Sequence, residues 1–269
     1  MDGFETIRFE THNGVAVLTL DRADRRNAVD MVMREELRAV IDQVRSDGEL
    51  RACIITGAGG NFCAGGDIST MRDREPGIED ARTRMRRTGE FAVALATLDK
   101  PLIAAVEGAA FGAGFGIAMT ADFVLAAPSA VFCASFAKIG LVPDLALHYS
   151  LPRIVGLARA KEIVFSARSI QADEALRLGL IHRIVDASSL IEAARELAER
   201  FLEASPTALA LSKSLLQQSH ALDIRQIAEG ETAAQAIALE TAYHRQAAAR
   251  FLNREKPRFE WNEMTEREP

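Results

Sequence analysis

Two glycine-rich turns constrain this chain more than any other feature. The first, Asn61 to Asp67 (NFCAGGD), follows the short apolar run Ala52 to Thr56. The second, Gly108 to Gly116 (GAAFGAGFG), follows Leu102 to Val106 and enters a helical pattern. Each reads as the turn after a strand, where glycine lets the backbone come close to another group and present its N–H donors. Two readings fit. In one, strands simply pack tightly against helices. In the other, the turns aim N–H groups at one point, a helix start adds a dipole favourable to negative charge, and each donor is worth roughly 2.7–4 kcal/mol in a transition state.

The flanking pattern is that of a mixed α/β fold. Val15 to Leu20 reads as a strand behind Asn13-Gly14, and Asp30 caps a helix with Leu37, Val40, Ile41 and Val44 on one face, ended by Asp47-Gly48. Ile78 to Ala96 is arginine-rich and helical, with Phe91, Ala94 and Leu95 on its apolar side; Phe123 to Ala127 and Val131 to Ala134 are short strands. Beyond Leu157 helices dominate: Ala158 to Phe165, Ala172 to Arg177, Leu190 to Leu202, one opened by Ser205-Pro206, and a nearly unbroken one from Asp223 to Leu252 before a frayed NEMTEREP end. Only Leu180 to Val185 interrupts them. The expected division is a strand-rich core over residues 1–195 and a helical region over 196–269.

Composition removes several function classes. With 269 residues, 48% of them hydrophobic, the chain can bury a large core without staples, and a net charge of −6 leaves no basic footprint for nucleic acid or an anionic membrane. The most apolar stretch, Pro101 to Met119, is broken by Glu107 and four glycines, which suits a buried segment rather than a membrane span. Cys53, Cys63 and Cys133 lie far apart without a CxxC pair, and the five histidines show no i,i+4 spacing, so neither a disulfide framework nor a metal site is expected. The start, MDGFETIRFE, has no apolar signal region, and a cytoplasmic location is expected. There is no GxSxG elbow or phosphate loop, and Gly112-Ala113-Gly114 departs from a dinucleotide fingerprint at Ile117.

The segments RRNAVD, NFCAGGDI, KPLIAAVEGAAFGAGFGIAMTADFVLA, KIGLVPD and RFLNREKPRFE, in order from about Ile7 to Phe259, resemble the enoyl-CoA hydratase/isomerase (crotonase) superfamily. The resemblance implies a crotonase-like spiral of ββα units with a CoA-thioester site in residues 1–195. It also implies a helical C-terminal region that makes homotrimers or hexamers of trimers. Coenzyme A would arrive as part of the substrate, with no permanently bound cofactor. By position, the oxyanion donors would be the N–H groups of Gly66 and Ala113, the latter in the middle of the family's GGG, here GAG. Ala64, Asp67 and Ile68, with Gly65, match the loop that holds the adenine. Arg25 and Ala28 flank the phosphate end, and Lys256 matches a lysine lent by a neighbouring subunit. For Arg25 and Lys256 a solvated surface charge fits equally.

The carboxylates differ from those of the hydratases, which use two glutamates to hold one water. Gly116 and Phe136 stand at those two positions. Asp144, among Leu141, Val142, Pro143, Leu145 and Leu147, matches an aspartate that some superfamily isomerases use to move a proton along the acyl chain. Apolar neighbours would raise its pKa towards neutrality, as a returning base requires, although an aspartate after proline is also an ordinary turn residue. Aryl-CoA dehalogenases use this position as a nucleophile, and Tyr149-Ser150-Leu151 echoes them. Their histidine base has no counterpart between Ile78 and Lys100. The expectation is therefore an enoyl-CoA double-bond isomerase, with a hydratase or lyase using an unusual carboxylate, or a catalytically impaired thioester binder, as alternatives. Met85, Phe91, Phe115, Phe132 and Phe136 are candidates either for the acyl pocket or for plain core.

Overall fold

The computed structural model describes residues 3–69 and 77–261; the frayed end read from residues 262–269 lies outside them. Strands β1 (Ile7–His12), β2 (Val15–Leu20), β3 (Ala52–Gly57), β4 (Leu102–Val106), β6 (Phe123–Ala126) and β9 (Arg183–Ile184) form one sheet in that order. β5 (Ala109–Phe111), β7 (Val131–Cys133) and β8 (Ile170–Gln171) form a second. β1 and β2 are an antiparallel hairpin through Asn13 and Gly14, both at positive φ, as a two-residue turn of matching twist requires. From β2 onward the first sheet is parallel.

Parallel strands with helices on both faces are buried throughout, so their side chains divide between two cores. Leu18, Ile55 and Ala104 point into the larger one, beneath α1 (Met31–Ser46), α2 (Ile78–Ala96) and α3 (Ala113–Thr120). Val17, Ile54 and Ala105 point the other way, onto Leu190, Ala194 and Leu197 of α6 (Leu190–Arg200). Asp30 caps α1 as expected, accepting from the Met33 N–H at 2.9 Å.

The structure departs from the expected elements in three places. The helix read from Ala158 begins at Leu147 (α4, Leu147–Ser166); Pro152 and the non-helical Gly156 hide its first half from pattern. The long helix read from Asp223 to Leu252 is two, α8 (Ile224–Leu239) and α9 (Ala242–Leu252), because Thr241 caps a new start by accepting from the His244 N–H. The short strands β5 and β8 have no periodicity that marks them, and β1, which alternates over Ile7-Arg8-Phe9-Glu10, is not among the expected strands. A short helix, α5 (Ala172–Arg177), lies between β8 and β9. Together with α7 (Pro206–Gln218), helices α8 and α9 bury no residue within this chain and leave Leu216, Ile224, Phe251 and Leu252 more than 70% exposed. Among the described residues no helix is long and apolar enough to cross a membrane.

Candidate active site

The two glycine turns meet. The Cys63 N–H donates to the Ala109 carbonyl at 2.7 Å and the Phe111 N–H to the Cys63 carbonyl at 2.9 Å, stitching the first turn to β5. On its other side the first turn is pinned to the segment before α1. There the Ala64 N–H donates to the Arg26 carbonyl, the Val29 N–H to the Gly65 carbonyl, and the Asp67 N–H to the Val29 carbonyl, all at 2.8–2.9 Å. Held this way, Gly65 sits so close to the second turn that a Cβ on it would stand 3.1 Å from the Phe111 carbonyl oxygen and 3.8 Å from the Ala113 nitrogen.

Gly66 and Ala113 are therefore neighbours across this junction. Ala113 is the first residue of α3, so its N–H has no acceptor within the helix, and the helix dipole is positive at that end. Outside helices and strands, no backbone bond from either N–H occurs among the described residues. Where two such N–H donors converge, they can hold an oxygen that becomes negative.

The neighbouring positions fall into place around the pair. Asp67 is buried and bonds Arg22 Nη2 at 3.0 Å and Ser69 Oγ at 2.6 Å, and these contacts hold its carboxyl below the usual range. Arg22 also bonds the Ala28 carbonyl at 2.5 Å and pairs with Asp30 at 3.2 Å, so one guanidinium fastens the turn to the start of α1. Arg22 lies outside every motif singled out in the sequence, and the buried Asn27, although inside RRNAVD, has no role assigned to it there. The Asn27 amide accepts from the Arg22 N–H and donates to the Ala58 and Asn61 carbonyls, which leaves its side chain fully occupied. Ile68 is exposed, and Arg25 is on the surface with Asp24 at 3.5 Å. Lys256 lies on the exposed stretch after α9, where its carbonyl meets Arg250. Cys63, although inside the first turn, is pushed up to about 12 by burial and is no nucleophile.

Asp144 comes to the same place from a different direction. Gly116, on the second turn of α3, lies directly under the Asp144–Leu145 backbone: a Cβ there would be 2.7 Å from Leu145 Cβ and 3.2 Å from the Asp144 carbonyl oxygen. Leu145 and Ala146 both adopt left-handed φ, at 49° and 57°, a costly arrangement for two consecutive non-glycine residues and one that turns the chain back into α4. Asp144 Oδ1 is buried with no hydrogen-bond partner. Desolvation raises its pKa above the ordinary 3.8, against the field of Arg34, which lowers it. The Phe136 ring faces Gly112. Of the aromatic and Met candidates, Phe115 and Phe132 pack with tilted rings in the core, Met85 is exposed, and Phe91 lines a crevice beside Ala113.

Asp144 Oδ1, buried and without a partner, sits on the loop packed over the helix that Ala113 begins, and a carboxylate in such a setting can take up and return a proton. Known proteins share the architecture and more than a third of the sequence. Residues 10–262 match the family model described as enoyl-CoA hydratase/isomerase. The short-chain-enoyl-CoA hydratase of Clostridium acetobutylicum is 35% identical over 248 residues, covering 92% of this chain and 94% of that protein. The 1,2-epoxyphenylacetyl-CoA isomerase of Escherichia coli is 34% identical over 258 residues, covering 95% and 98%. A crystal structure of an enoyl-CoA hydratase/isomerase from Cupriavidus metallidurans superposes with a TM-score of 0.92 at 40% identity, over 96% of this chain and 97% of that one. With a match of this extent across both glycine turns, the chain belongs to the enoyl-CoA hydratase/isomerase family.

Proposed function

We propose that the protein is an enoyl-CoA double-bond isomerase. The thioester carbonyl of an acyl-CoA is held by the N–H groups of Gly66 and Ala113. Asp144 removes a proton from the acyl carbon between the double bond and the carbonyl. The resulting enolate oxygen is stabilised by the same two donors, and the proton returns further along the chain as the double bond moves into conjugation. The base is regenerated, so neither water nor a bound cofactor takes part.

The observation that carries this reading is the environment of Asp144 Oδ1, buried and without a hydrogen-bond partner. A carboxylate that only capped a turn would have its oxygens satisfied. The absence of a second carboxylate has a steric side: Leu145 fills the space over Gly116, where a longer side chain would have to stand to hold a water. The loop from Ala64 to Ile68 with Ala28 and Arg25 takes the nucleotide portion of coenzyme A, and Lys256 reaches it from a neighbouring subunit. The uncovered apolar faces of α7, α8 and α9 favour association into a trimer or a pair of trimers.

The test is to offer a 3-enoyl-CoA and a 2-enoyl-CoA side by side. The first should gain the absorbance of the conjugated thioester, and the second should keep it. Loss of the 2-enoyl signal at a comparable rate would make the enzyme a hydratase and overturn the reading.

A further inference from the structure

The crevice beside Ala113 is unusual for a pocket that would take an acyl chain. Its inner wall is apolar (Phe91, Ile117 and Leu145), but its mouth carries Arg34, Arg38, Arg84 and Arg87 against one carboxylate, Glu35. In a chain whose net charge is −6, such a concentration of cations needs a reason. Three of the four have charged partners: Arg87 pairs with Glu35 at 3.1 Å, Arg38 with Glu90 at 3.4 Å, and Arg34 acts on Asp144. Arg34 lies half-buried with its Nη1 on the buried Thr88 hydroxyl at 2.7 Å. Arg84, one turn before Thr88 on α2, is half-buried and has no carboxylate partner among the described residues. The crevice is narrow, about 20 Å³, room for roughly one water.

Resting on the isomerase reading above, we infer that the acyl group carries a carboxylate at its end remote from the thioester, and that Arg84 binds that carboxylate. A guanidinium presents paired N–H donors that match a carboxylate in charge and geometry, and half-burial strengthens such a bond because less water competes. An uncharged alkyl chain in the same crevice would offer Arg84 nothing and would separate it from water. The substrate class is thus the monothioester of a dicarboxylic acid rather than a plain fatty acyl-CoA.

Calorimetric titration at one fixed ionic strength, with glutaryl-CoA and valeryl-CoA as saturated probes of equal chain length, tests this directly. Both probes carry the same nucleotide and phosphates, so their difference reads only the terminal carboxylate. Glutaryl-CoA should bind at least about tenfold tighter. In Arg84→Gln the advantage should shrink to within about threefold. Equal affinities in the wild type would overturn the carboxylate assignment while leaving the thioester site intact. An advantage that survives in Arg84→Gln would overturn the role of Arg84. Failure of both probes to bind would overturn the thioester reading itself, and this inference with it.

Discussion

Gly116 lies against Leu145 so closely that the smallest side chain on the glycine would stand 2.7 Å from the leucine Cβ. This contact links the catalytic pattern to the fold. The backbone of Asp144 and Leu145 occupies the space over Gly116, so any side chain at that position would require this loop to shift.

Gly116→Ala should therefore cost stability without any change in charge. The added methyl meets a Cβ and two backbone oxygens, at 3.1 and 3.2 Å, rather than the end of a flexible side chain, and overpacking of that kind costs about 1–3 kcal/mol. Thermal unfolding should show a midpoint lowered by several degrees. An unchanged midpoint would mean that the loop at 144–146 moves aside freely.

The raised pKa of Asp144 gives two pH effects of opposite kind. As a base it acts when ionised, so the acid limb of kcat/KM should lie above the ordinary carboxylate pKa of 3.8. For stability the sign reverses. Because the folded pKa is higher than the unfolded one, the protonated form favours the fold, and that contribution is complete below the unfolded value and lost as pH rises through the folded one. Asp144→Asn should accordingly raise the unfolding midpoint at pH 7 and bring no gain near pH 3. A gain of equal size at both pH values would separate the effect from titration.

Ala113 offers a way to remove one proposed donor with little harm to the helix. Proline is well suited to the first position of a helix, where the N–H has no intrahelical use. Ala113→Pro should keep its circular dichroism and lose about 10²–10³ in kcat, the usual effect of deleting one oxyanion donor. Steady-state turnover with a 3-enoyl-CoA reads this, and a loss below tenfold would remove Ala113 from the site.

Much of this architecture is legible in the sequence, and what is not has identifiable causes. α1 declares itself through Asp30 and an apolar face at helical spacing, and the two glycine turns mark the junction because close backbone approach leaves little choice of residue. The first half of α4 is hidden by Pro152 and Gly156, which break the local pattern that tertiary packing then overrides. Arg34 and Arg84 could not be singled out. An arginine on an amphipathic helix reads as a solvent face, and only the packing of α1 against α2 brings both to one crevice. Arg22 is hidden in the same way, since its partners lie as far along the chain as Asp67.

The exposed apolar residues of the C-terminal helices should be covered in solution. Light scattering coupled to gel filtration should give a trimer or hexamer, and Phe251→Asp with Leu252→Asp should shift the population towards smaller species. A monomeric wild type would leave Lys256 without a neighbouring subunit to serve.

The central claim is that Asp144 alone carries the proton from one carbon to the next. The most direct measurement is the rate at which a 3-enoyl-CoA becomes conjugated, for wild type and Asp144→Ala, with thioester binding measured on the same preparations. The account predicts a loss of about 10²–10⁴ in turnover, the range of a positioned general base, while the thioester still binds. An Asp144→Ala enzyme that isomerises at the wild-type rate would contradict it.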